Sequence, residues 1–144
     1  MTPARARIEQ LVPQAGAMCL LDAVAQWDAV HIVCNSAEPG PAHPLVRDGS
    51  VPAIAAAEYA AQATALHGAL LDDATEPRSG MLAKLIDVEL HSPRFPPGGG
   101  AVTVRAELLS RLATGCMYSF EVSTTSQAVA SGRLIVAFGS VAAP

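Results

Sequence analysis

The chain has 144 residues, which fits one domain spanning residues 1–144 and suffices to bury a core without staples. It is 51% apolar but only 4% aromatic, so its core is built mainly from Ala, Val and Leu. A net charge of −4 with no block of like charges argues against a phosphate-binding surface, and so against nucleic acid as a partner.

Residues 1–7 carry charge with no apolar run behind them, unlike a secretory signal. Cys19, Cys34 and Cys116 lie far apart with no C-x-x-C pair, so neither a zinc knuckle nor a disulfide framework is expected. Each reads as a small buried apolar residue. Reduced thiols and no signal make the cytoplasm the default location.

Residues 5–11 suit a short helix stopped by Pro13. Residues 18–26 form an apolar run expected to be a strand. Trp27-Asp28 is expected to turn the chain into a second strand over 29–34. Residues 35–50 are rich in Pro, Gly, Asn, Asp and Ser and predict a loop, too long for an idle connector. Ser50 or Gly49 is expected to cap the next helix, with Pro52 in its first turn. That helix, about 51–71, is alanine-rich and apolar almost all round, which predicts a buried core helix. Glu58, Gln62 and His67 make it too polar for a membrane span.

Four strands are expected after a loop over 72–80. In the first, residues 81–90, Ile86, Val88 and Leu90 alternate with Asp87 and Glu89. After a break at 93–100, Val102, Val104, Ala106 and Leu108 form one face of the next. Cys116, Tyr118, Phe120 and Val122 form one face of the third, and residues 128–138 make the last. Period-two alternation predicts an antiparallel sheet with one buried face. The fold class is therefore α+β, a curved sheet around one long helix.

This order of elements resembles the hotdog fold. Ala17-Met18-Cys19-Leu20-Leu21-Asp22 resembles the Met-Leu-Leu-Leu-Asp type opening of 3-hydroxyacyl-carrier-protein dehydratases. The stretch from Val51 to Gln62, with Pro52-Ala53, Glu58 and Ala61-Gln62, resembles their Pro-Gly-x-x-x-x-Glu-x-x-Ala-Gln helix start. The subgroup most resembled is the set of predicted dehydratases of aryl-polyene-type lipid pathways. Where many relatives carry an early Pro-His, this chain has Pro13-Gln14.

The resemblance implies that Glu58 is a catalytic acid paired with a histidine from the loop of the dimer partner. The family's histidine slot falls on Pro44, and His43 stands one residue upstream. His43 would remove the C2 proton of a 3-hydroxyacyl thioester, and Glu58 would protonate the departing hydroxyl. A carboxylate among alanines is costly to strip of water, which suits proton delivery. Gln62, one turn after Glu58, would orient the carboxylate or a bound thioester amide. N–H groups at Ala53 and Ile54 would polarise the thioester carbonyl.

The substrate implied is a thioester of acyl carrier protein or coenzyme A. Docking an acidic carrier needs basic residues: Arg78, Lys84, Arg94 and Arg111 are candidates, with Arg94 first. His67 lies nine residues after Glu58, on the opposite side of the helix, and reads as structural. His31, mid-strand, and His91, at a strand end, read as structural or surface residues, and no pair of histidines has metal-ligand spacing. The three glycines Gly98-Gly99-Gly100 lie between strands and read as a flexible turn rather than a phosphate loop. No metal or redox cofactor is implied, and a homodimer is expected. A hotdog thioesterase using Glu58 to orient water or as nucleophile, or a non-catalytic subunit beside an active partner, are the alternatives, because fold alone does not select the reaction.

Overall fold

The computed structural model describes residues 3–14, 16–76 and 80–138. Helix α1, Arg5–Leu11, buries Ile8 and Leu11. Strands β1, Ala23–Trp27, and β2, His31–Ser36, form a hairpin. Its turn is held by Asp28, whose carboxylate accepts N–H bonds from Val30 at 2.8 Å and His31 at 2.7 Å. A 3-10 turn, Ala53–Ala55, leads into helix α2, Ala56–Leu71. Strands β3 (Gly80–Leu90), β4 (Val102–Leu112), β5 (Gly115–Thr124) and β6 (Ala128–Phe138) complete the chain.

The six strands make one antiparallel sheet in the order β1-β2-β4-β5-β6-β3. Helix α2 packs against β2, β4, β5 and β6, so the sheet curls around it. The alanines explain how: Ala56, Ala60, Ala63 and Ala69 are fully buried, and their short side chains let the sheet approach the helix axis. The alternation in β5 holds, with Cys116, Tyr118, Phe120 and Val122 all buried. No described helix is long and apolar enough to cross a membrane.

Four local expectations are corrected. Met18 to Asp22 is not strand: residues 16–18 form a 3-10 turn and β1 begins only at Ala23. At Leu20 side chains take the place of a strand partner: its N–H donates to the Gln62 amide oxygen and its carbonyl accepts the Ser36 hydroxyl. Neither Ser50 nor Gly49 caps α2. Ser50 pairs with Arg47 in a tight loop, and the α-helix proper starts six residues later, at Ala56, without a side-chain cap. In β3, Asp87 has φ 50°, and the pairing with β6 shifts between Ile86 and Glu89. This bulge breaks the expected Ile86-Val88-Leu90 face and leaves Leu90 49% exposed. The glycine turn is pinned: Gly99 N–H donates to Pro96 and Gly100 N–H to the Glu38 carboxylate, both within the described residues.

Candidate active site

Glu58 stands in the first turn of α2, half-buried. Its Oε1 accepts two amide N–H bonds, from Gln14 Nε2 at 2.9 Å and Gln62 Nε2 at 3.0 Å. Both amides thus meet the carboxylate at the same oxygen, Oε1. Gln62 is fully buried, and both ends of its amide are used. Its Oε1 accepts Leu20 N–H at 2.8 Å, and its Nε2 also donates to the Met18 carbonyl at 2.7 Å. Gln62 thus links the Glu58 carboxylate to the backbone of residues 18 and 20. Its amide is closed to any substrate.

A cavity of about 200 Å³ opens beside this carboxylate. Glu58, Ala61, Ala65 and Gly68 line it from α2, at the three- and four-residue spacing of one helix face. Pro13 and Gln14 close one end, and Leu82, Cys116, Tyr118, Val136 and Phe138 form the sheet wall. Glu58 to Gly68 spans roughly 15 Å at the helical rise. The site is thus a carboxylate at one end of an elongated, largely apolar slot.

His43 lies elsewhere. It lines a separate cleft with Arg5, Cys19, Asp22 and Tyr59, which does not include Glu58. Its Nδ1 accepts Leu45 N–H at 3.1 Å, so Nε2 carries the hydrogen and donates to the Tyr59 hydroxyl at 3.0 Å. Burial lowers the pKa of His43 and pushes the Tyr59 phenol up to about 12, so both are neutral. Within one chain the structure does not bring His43 and Glu58 together.

The helix start also differs from expectation. Ala53 is buried and its N–H donates to the Pro93 carbonyl at 3.1 Å, which removes it as a carbonyl-binding donor. The cause is the short bridge between Pro52 and Arg94, which lays residues 93–95 along the helix entrance. Ile54, next in line, is 50% exposed. Arg94 is exposed beside this entrance. Lys84 is also exposed, Arg111 is bonded to Asp72 at 2.6 Å, and Arg78 falls outside the described residues.

None of the other histidines lines this slot. Buried His67 donates from Nε2 to the Asp28 carbonyl at 2.8 Å and accepts the Tyr118 hydroxyl at Nδ1 at 2.7 Å. Burial lowers its pKa, which fits a neutral ring. His31 is exposed at the start of β2 beside Glu107, and His91 is exposed beside Ser131. Sequence reasoning missed Gln14 as the second amide on Glu58. Its signal was its place after Pro13, where relatives carry histidine. It also missed Tyr59 as the partner of His43, because the two lie sixteen residues apart, one on a loop and one on a helix, and only tertiary packing joins them.

A family model described as ApeP-like, ApeP dehydratase, matches residues 6–141. The dehydratase heterocomplex ApeI:P from Xenorhabdus doucetiae is structurally similar, with TM-score 0.81 and 22% identity over 94% of this chain and 92% of that one. A thioesterase from Haemophilus influenzae gives TM-score 0.60 and 13% identity, covering 84% and 80%. A mutant thioesterase from Staphylococcus aureus gives 0.59 and 17%, covering 79% and 89%. No curated protein sequence matches the chain.

Proposed function

The chain belongs to the ApeP-like dehydratase family, and from that premise we propose that it takes part in reversible loss of water from 3-hydroxyacyl thioesters. The observation that carries this reading is Glu58, held by two amides at the end of an apolar slot. A base removes the C2 proton, and its electron pair forms the C2–C3 double bond. The C3–O bond breaks, and Glu58 Oε2 gives its proton to the departing hydroxyl, releasing water. Transfer of the proton from the base back to Glu58 resets the site. The acyl chain lies along Ala61, Ala65 and Gly68, and the thioester end faces the helix entrance near Ile54 and Arg94. An acyl carrier protein in the cytoplasm, synthesising a fatty-acid or polyene-type lipid, is the proposed substrate source, with Arg94 as its first docking contact.

The base comes from a second hotdog subunit. His43 of a second copy is one source. Its two bonds, to Leu45 and Tyr59, favour the other: a histidine on a partner chain of a different kind. The structurally similar dehydratase from Xenorhabdus doucetiae is a heterocomplex, which supports a heterodimer over a homodimer. Turnover by Glu58→Gln and His43→Ala, separately and mixed, tests this. Loss with Glu58→Gln and retention with His43→Ala supports the heteromeric site. Loss with both, restored by mixing, supports a homodimer. Full activity of Glu58→Gln refutes the assignment.

A further inference from the structure

Gln14 carries an acceptor with nothing to accept. Its Nε2 donates to Glu58 Oε1 at 2.9 Å, and its own Oε1 is buried with no hydrogen-bond partner among the described residues. Turning the amide over does not help, because that sets its oxygen against the Glu58 carboxylate. The amide is therefore locked with its oxygen unpaired among the described residues. Buried polar atoms in folded proteins are almost always bonded, so an exception on a residue that lines a cavity points to a partner that arrives with a ligand. Gln14 lines the same slot as Glu58.

The missing partner must be a donor. A thioester carbonyl only accepts, and the acyl chain is apolar. A 3-hydroxyl both donates and accepts. We propose that Gln14 is a second substrate-contacting residue, which fixes Glu58 with its N–H and reads the 3-hydroxyl with its Oε1. This deepens the dehydratase reading and rests on it. The hydroxyl hydrogen points to Gln14 Oε1, and its lone pair is thereby turned toward Glu58 Oε2. The same contact that selects the substrate aims the leaving oxygen at its acid. The enoyl product has no hydroxyl, so Gln14 holds substrate and not product.

The test is calorimetric binding of two pantetheine amides to the full chain, in the assembly in which it purifies. One carries a 3-hydroxyacyl group and the other the same chain without the hydroxyl. The amide in place of the thioester slows turnover. The wild type is expected to bind the hydroxy form roughly tenfold more tightly, the scale of one well-made hydrogen bond. Gln14→Met is expected to bind both alike. Should that variant not fold, Gln14→Asn, which withdraws the amide by one methylene, is expected to lose the preference too. Equal binding by wild type, or a preference that survives both substitutions, overturns the role of Gln14 while leaving the dehydratase reading in place. Failure of wild type to bind either amide overturns both.

Discussion

Replacing Gln62 by leucine, of similar size, removes three hydrogen bonds from the buried face of α2. Leu20 N–H is left buried without its acceptor at 2.8 Å, which costs about 1–3 kcal/mol. The Met18 carbonyl also loses its donor at 2.7 Å, but Met18 is only half-buried and water recovers most of that bond, leaving about 1 kcal/mol. Glu58 keeps Gln14, so the third bond adds little. The sum is about 3 kcal/mol, a large share of the roughly 5–15 kcal/mol that holds a domain folded. At about 2–4 °C per kcal/mol for a domain near this size, the Tm falls by about 9 °C. Urea unfolding followed by circular dichroism reads this as a lower midpoint with an unchanged slope. Glu58→Gln, which leaves both Gln62 backbone bonds in place, is the matched control and is expected to lose less than about 1 kcal/mol. A loss below about 0.5 kcal/mol for Gln62→Leu refutes the claim that this amide ties residues 18–20 to the helix.

Gly68→Leu places a side chain into the slot, since a Cβ at Gly68 meets nothing within 4 Å. Melting temperature is expected to hold or rise, because leucine favours helix over glycine by up to about 1 kcal/mol, while turnover of long acyl chains falls far more than that of short ones. Gly115→Ala drives a Cβ to 2.4 Å from the Val136 carbonyl oxygen and is expected to destabilise by about 1–3 kcal/mol in a thermal melt. His67 and His43 both have folded pKa values lowered by burial from the ordinary 6.5, so the unfolded chain takes up protons first as the pH falls. Their contribution to stability is complete above about pH 6.5 and is lost as the pH drops below it. Urea midpoints measured from about pH 8 to pH 5 check the sign. A midpoint that rises on acidification across that range contradicts it.

Periodicity made the sheet legible, because in β4 and β5 each side chain is committed to one face. Residues 18–22 looked like strand because apolar content alone does not say where backbone N–H groups go. Here Leu20 N–H goes to Gln62, forty-two residues away. The bulge at Asp87 was hidden for a similar reason. Its cause lies in β6, where Gly132 lets Val88 approach so closely that an added Cβ would meet Val88 Cα at 3.0 Å. Glu58 and Gln62 were legible as a pair because helical spacing is local. Gln14 and His43 were not, since tertiary packing alone puts one against Glu58 and the other against Tyr59. Ala53 was misread because a helix start exposes its N–H groups only if no neighbouring loop covers them, and residues 93–95 do.

The central claim is tested most directly by the intact mass of a 3-hydroxyacyl carrier protein before and after incubation with this chain, alone and with the partner subunit proposed above. The account predicts a carrier that keeps its acyl chain and loses one water, with the change abolished by Glu58→Gln. A carrier that loses the whole acyl chain instead identifies a hydrolase, and the dehydratase account is then wrong.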